Sequence, residues 1–141
     1  MPSDETLATV ASIIAGFGAA MMAFRIEREA AGQEAGQSSW IPWADALLIS
    51  AILGSLLLVI LPILILREPK GFLAALPRAA CASSCVLVSG YILSILAHYR
   101  LLFGRQRRGE RENPEPAERQ LVIGTAALSA AVFADALLQG H

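Results

Sequence analysis

Four long apolar stretches fill most of this chain of 141 residues. They cover residues 7–24, 46–66, 79–97 and 120–134. The first holds 18 uncharged residues, and an α-helix rising about 1.5 Å per residue nearly crosses a hydrocarbon core at that length. Helices are the expected form because the bilayer offers the backbone no water to bond with. The sequence therefore predicts an all-α, polytopic membrane protein with four transmembrane helices in a small bundle.

Composition favours a membrane domain over a water-soluble one. Hydrophobic residues make up 55% of the chain and charged residues only 16%, too few charges to cover a soluble domain of this size. We expect a single membrane domain over residues 1–141, with polar loops at 26–39 and 104–116. The predicted spans are about 7–25, 42–66, 78–99 and 117–138.

The fourth span is the weakest of these predictions. Asp135 interrupts it after 15 uncharged residues, many of them alanine. A helix starting at Pro116, a residue favoured at first helical positions, and running to Gln139 would be long enough to cross. An interfacial or re-entrant segment is the alternative. In the third span, Pro77 is expected to open the helix, and Pro62 is expected to bend the far end of the second.

The basic residues predict how the chain is oriented. Eight of the 11 Lys and Arg residues follow the first span, beginning with Arg25 and Arg28, or lie between the third and fourth. Since basic loops stay in the cytoplasm, both termini are predicted outside it. Asp4 and Glu5 stand where a secretory signal would need positive charge, so we expect the first span to persist. The expected location is the cytoplasmic membrane of a prokaryote.

Small residues recur every four positions along the first and fourth spans. The first span has one row at Ala8, Ser12, Gly16 and Ala20 and a second at Ala11, Ala15, Ala19 and Ala23. The fourth has Ala126, Ala130 and Ala134 beside Gly124, Ala127 and Ala131. Such surfaces let another helix approach closely. They predict a homo-oligomer, the alternative being that they only tighten a monomer.

One face of the first helix has the composition of a pore lining. From the outer end inward its residues are Glu5, Thr9, Ser12, Gly16 and Ala20. Around an axis they would form a carboxylate ring, then hydroxyls, then a narrow apolar section, an arrangement that can attract cations and gate by dewetting. Hydroxyls bonded to their own backbone are the alternative.

Few other side chains in the spans could carry chemistry. Asp45, His98 and Asp135 are candidate ion or proton sites, and an Asp45–His98 pair at the cytoplasmic side could shuttle protons. Each also has a plainer explanation: a carboxylate at a helix start for Asp45, and interfacial positions for His98 and Asp135. Cys81 and Cys85 share a helix face without disulfide geometry and are expected to be packing residues. We predict no metal and no cofactor.

The sequence leaves several classes of function open. A homo-oligomeric channel, conducting cations with the first helix near the axis, ranks first. A non-conducting structural or accessory subunit would need only the helix faces and another membrane protein as partner. A small ion-coupled transporter would need more buried ionisable groups than Asp135 alone, and enzymatic activity ranks last because no catalytic motif is complete.

The loop before the fourth span mixes five arginines with glutamates, Glu118 among them. Its basic first half is suited to anionic headgroups of membrane lipids. The alternative is that these charges serve only to orient the chain. We expect no nucleic-acid partner, because no aromatic residue or folded module accompanies the charges.

Overall fold

Four helices form the protein in the computed structural model, which describes residues 2–34, 42–66, 69–99 and 115–139. They are α1 (Asp4–Glu34), α2 (Ala44–Ile65), α3 (Phe72–His98) and α4 (Pro116–Leu138). Each contains a segment long and apolar enough to cross a membrane. The predicted all-α architecture is confirmed at this level, and it indicates an integral membrane protein.

Helix α1 extends well beyond its apolar segment. The Ser3 hydroxyl accepts the Thr6 N–H over 3.2 Å and caps the first turn, where Asp4 and Glu5 suit the positive end of the helix dipole. At the other end the charged segment continues the helix, and Arg25 lies 3.8 Å from Glu29 one turn later. The first helix is therefore 31 residues long.

Helix α2 contains a π-helical segment, Gly54–Ile60, just before Pro62. The Leu61 N–H donates to the carbonyl of Leu56, five residues earlier. Proline lacks an N–H, and its ring crowds the carbonyl four residues before it, so a wider turn relieves the crowding. The π-helical turn of α2 thus lies next to the proline whose ring it accommodates.

The start of α3 differs from the sequence prediction. Pro77 was expected to open this helix, but α3 begins at Phe72 and Pro77 lies inside it, so that prediction is wrong. Gly71 makes the turn instead, with φ of 55°, a conformation that favours glycine. Its carbonyl accepts the Ala74 N–H over 3.1 Å and begins the helix. An interior proline removes one backbone hydrogen bond, which the longer helix tolerates.

Helix α3 is the centre of the bundle and packs against the other three helices. Its contact with α4 is the most extensive, and there Gly90 lies so close that a Cβ would overlap the Thr125 side chain. Helix α1 packs on α2 and α3, with Gly18 seated against Ile52. Close approach at glycine is how membrane helices gain packing contacts.

Two apolar clusters mark the two ends of the bundle. One contains Leu7, Ala11, Val59, Ala80 and Cys81. The other contains Ala44, Leu47, Leu48 and Tyr91. The starts of α1 and α3 therefore lie together at what we call the outer end, and the starts of α2 and α4 at the inner end, following the predicted orientation.

Candidate functional site

A cluster of ionisable side chains joins all four helices at the inner end. It comprises Arg25 from α1, Asp45 from α2, His98 from α3 and Glu118 from α4. We call these four residues the inner charged cluster. Asp45 and Glu118 come from the first turns of their helices, and His98 is the last residue of α3. The antiparallel course of the chain brings these helix ends to one level.

The most buried part of the cluster is the pair of His98 and Glu118. Nδ1 of His98 donates to Oε2 of Glu118 over 2.8 Å, and the two side chains are 7% and 0% exposed. The other carboxylate oxygen accepts the backbone N–H of Ala44 over 3.2 Å. That N–H belongs to the first residue of α2 and has no partner within its own helix. One buried carboxylate therefore connects α2, α3 and α4.

The second pair fastens α1 to α2. Nε of Arg25 donates to Oδ2 of Asp45 over 3.0 Å, with side chains 12% and 13% exposed. Aromatic contacts extend the network: the Arg28 guanidinium lies 5.3 Å from the centre of the Tyr99 ring, and Tyr99 packs edge-on against His98. The charges of Arg25 and Asp45 are tolerated at this depth because each lies beside the opposite charge.

Three polar atoms near the cluster have no hydrogen-bond partner among the described residues. They are Oδ1 of Asp45, Oη of Tyr91 and Oγ of Ser94. Ser94 and Tyr91 precede His98 by one and two turns on the same face of α3, and Tyr91 packs with Ala44. Buried polar groups ordinarily bind a partner, so this region has capacity for water or a transferred proton.

The structure brings two of the predicted ion or proton sites, Asp45 and His98, to one place. Each has a different direct partner from the one the sequence suggested, since Asp45 pairs with Arg25 and His98 with Glu118. Sequence reasoning missed Arg25, which was interpreted as an orientation signal, and Glu118, which was grouped with the loop charges. The burial of Glu118 could have been predicted from its spacing. Glu118 is followed at helical intervals by Val122, Thr125 and Ser129, which are apolar or small.

Asp135, the third predicted site, lies far from the cluster at the outer end of α4. Its side chain is exposed, and Oδ2 accepts Nε2–H of Gln139 over 2.6 Å. Nearby, Nη2 of Arg78 donates to the backbone carbonyl of Ala136 over 3.2 Å. Asp135 and Arg78 are therefore local features of the α3–α4 contact.

The predicted pore-lining residues all lie exposed on α1: Glu5, Thr9, Ser12, Gly16 and Ala20. At 100° per residue they span a sector of about 80°, centred opposite Leu7, Ala11 and Ile14, which α1 buries. We call this sector the outward face of α1. Its Thr9 hydroxyl donates to the Glu5 carbonyl over 2.8 Å. A hydroxyl bonded to its own backbone is the alternative to a pore lining that the sequence analysis kept open.

The two small-residue rows of α1 thus have different surroundings. In the first row, Ser12, Gly16 and Ala20 are exposed, and a Cβ at Gly16 would have nothing within 4 Å among the described residues. Gly18 belongs to neither row and is buried, and a Cβ there would overlap the side chain of Ile52. Of the second row, Ala11 and Ala15 are buried and Ala19 and Ala23 are exposed. One side of α1 is used inside the protein and the opposite side is open.

Other chemistry is limited in the part of the chain that the structure describes. No group of three or more His, Cys, Asp or Glu residues there is placed to hold a metal ion. The thiols of Cys81 and Cys85 are free, the first buried and the second exposed. The chain matches no protein-family model, no curated protein and no solved structure.

Proposed function

We propose that this protein is a homo-oligomeric membrane channel for cations, with the outward face of α1 near the axis of the assembly. The observation that carries the proposal is the division of α1 into two opposite faces. One packs into the bundle, and the other exposes small and polar side chains over four helical turns, with nothing among the described residues within 4 Å of a Cβ at Gly16.

The rest of the exposed surface of α1 supports this assignment. Ile13, Phe17 and Phe24 are 65%, 43% and 67% exposed and form a bulky apolar sector next to the outward face. Bulky apolar side chains suit lipid tails, whereas the carboxylate of Glu5 does not. A second copy or a wet axis is the more favourable neighbour for the outward face. Glu5 would then supply the carboxylate that attracts cations at the outer entrance.

Helix α4 offers a second surface for contact between copies. Gly124 and Ala127 are exposed on α4, and nothing among the described residues lies within 4 Å of a Cβ at Gly124. Small residues at this spacing permit close contact between helices. If α4 of one copy packs beside α1 of the next, the contact is heterologous, and repeating it forms a ring when the rotation between copies closes.

A small ion-coupled transporter is the second candidate. The sequence alone disfavours a transporter because it indicates no buried ionisable group besides Asp135. The inner charged cluster supplies four such groups, including the almost fully buried His98–Glu118 pair. A buried His and carboxylate can exchange a proton, and intramembrane pairs of this kind often serve coupled transport.

Ion flux through purified protein in liposomes tests the channel. We expect Gly16→Leu to lower cation flux at least tenfold while the mass of the assembly in detergent stays the same, because a large side chain would fill the axis. Ile13→Leu, on the neighbouring lipid-facing sector, is the matched control and should conduct as the unaltered protein does.

Two results would count against the channel. If vesicles that contain intact oligomers conduct no ions, the protein is not a channel. If the Gly16→Leu and Ile13→Leu variants conduct equally, α1 does not line the axis. Flux that requires a proton gradient and disappears in Glu118→Gln, with the fold retained, would favour the transporter.

A further inference from the structure

One carboxylate of the inner charged cluster has no permanent cation beside it. Arg25 lies 3.0 Å from Asp45, and these two residues balance each other's charge. Glu118 is 0% exposed, and its contacts among the described residues are the His98 ring at 2.8 Å and the Ala44 N–H at 3.2 Å. An N–H carries no net charge. The charge of Glu118 is therefore balanced only when His98 holds a second proton.

The ends of three helices favour that charged form of the pair. His98 is the last residue of α3, where the negative end of the helix dipole stabilises a cation. Glu118 lies in the first turn of α4 and accepts the first N–H of α2, and the positive ends of these two helices stabilise a carboxylate. The dipoles thus favour an imidazolium beside a carboxylate over two neutral groups.

The other charged or titratable groups around the pair come from all four helices. They are Arg25 and Arg28 of α1, Asp45 of α2, Tyr91 and Tyr99 of α3, and Glu115 and Arg119 beside Glu118. The carboxyl groups and tyrosines cannot supply positive charge. Among the arginines, Arg25 is paired with Asp45, Arg28 lies over the Tyr99 ring, and Arg119 is exposed. The proton on His98 therefore remains the main counter-charge of Glu118.

Loss of this proton would act on three helices at once. A neutral His98 ring could still donate a hydrogen bond, but Glu118 would become a buried anion without a counter-charge, which is strongly destabilising. Glu118 joins α4 to α3 through His98 and to α2 through the Ala44 N–H. His98 is 7% exposed and lies at the inner end, so its proton can exchange with water there.

We propose that the His98–Glu118 pair is a pH switch, in which one proton taken up from the inner side holds the start of α4 against α2 and α3. When the proton leaves at alkaline pH, the start of α4 separates and Glu118 becomes hydrated. The Arg25–Asp45 pair contains no histidine and keeps α1 on α2. The switch does not depend on ion conduction, because the outward face of α1 is not part of it.

Unfolding of the full-length protein in detergent between pH 6 and pH 9 tests the switch. Above about pH 6.5, where a histidine in water loses its proton, the folded state would hold one proton more than the unfolded state. Stability must then fall as the pH rises, and we expect the ratio of folded to unfolded protein to drop by up to about tenfold per pH unit. Glu118→Gln removes the carboxylate that retains the proton, so this fall should disappear between pH 7 and pH 9.

The second histidine of the chain provides the matched control. His141→Gln should keep the pH dependence of the unaltered protein. Nitrogen-15 NMR of histidine-labelled protein in micelles at pH 8 reads the ring charge directly, and His141→Gln leaves one signal to assign. We expect the His98 ring to be charged in the unaltered protein and neutral in Glu118→Gln.

Three results would overturn the proposal. They are a neutral His98 ring at pH 8 in the unaltered protein, a fall in stability with rising pH that survives Glu118→Gln, and a stability that rises with pH over this range. The NMR measurement on the unaltered protein decides the matter even if Glu118→Gln does not fold.

Discussion

The two ends of the bundle are held together by different physics. At the inner end, three polar contacts connect all four helices: the Arg25–Asp45 ion pair, the His98–Glu118 hydrogen bond and the bond from the Ala44 N–H to Glu118. The four side chains are at most 13% exposed. At the outer end, Leu7, Ala11, Val59 and Ala80 pack without charges, and Asp135 stays exposed. Ion pairs have fixed partners and directions, whereas packing of small side chains depends on shape alone. The polar contacts of the inner end therefore select which helices meet, whereas the outer end depends on how closely small side chains fit together.

The largest effect is expected for Glu118→Ala, which leaves His98 and the Ala44 N–H without their buried partner. Breaking one side of a buried pair costs about 3–5 kcal/mol, so the free energy of unfolding in detergent should fall by that amount. Glu118→Gln should be milder because the amide oxygen still accepts the Ala44 N–H. The control is Glu5→Ala at the exposed outer end. Equal stability of Glu118→Ala and Glu5→Ala would show that the inner pair does not hold the helices.

A smaller loss is expected when the outer packing is overfilled. Ala80 is 2% exposed, and Ala80→Leu should lower the free energy of unfolding by about 1–3 kcal/mol because the surrounding helices must move apart. Ala74→Leu, on an exposed part of the same helix, controls for the added side chain. The measurement is again unfolding in detergent. If Ala80→Leu proves neutral, the outer end is looser than the contacts of Ala80 indicate.

The smallest effect belongs to Asp135→Asn. This carboxylate is exposed and accepts a hydrogen bond from Gln139 one turn later, so stability should change by less than about 0.5 kcal/mol. The comparison with Glu118 is direct, since both are carboxylates of α4. A loss as large as that of Glu118→Ala would mean that Asp135 is also part of the framework.

Much of the architecture could be predicted because hydropathy and length decide whether a helix can cross a membrane. Helix α4 begins at Pro116, the residue at which the sequence favoured a helix start, because proline fits a first turn. The same rule failed at Pro77, where the turn at Gly71 starts α3 earlier. Proline tolerates several positions in a helix, and its preference for the first turn is only one of them. The turn before the helix decides where the helix begins, and hence which position the proline occupies.

The inner charged cluster could not be predicted in the same way. His98 and Glu118 are 20 residues apart along the chain, and so are Arg25 and Asp45, with a loop between the members of each pair. Which carboxylate meets which cation depends on how the helices rotate against each other. Composition placed Glu118 among loop charges, yet its position on the packed face of α4 buries it completely.

Access to Ser12 from water is the most direct test of the central claim, that the outward face of α1 lines a cation pathway. The measurement is cation flux in liposomes through Ser12→Cys, with Cys81 and Cys85 replaced by Ala, before and after a membrane-impermeant thiol reagent is added outside. Ile13→Cys is the control on the lipid-facing sector. We predict that the reagent blocks flux through Ser12→Cys and leaves Ile13→Cys unchanged. Equal flux before and after modification of Ser12→Cys, or the absence of flux in the unaltered protein, would contradict this account.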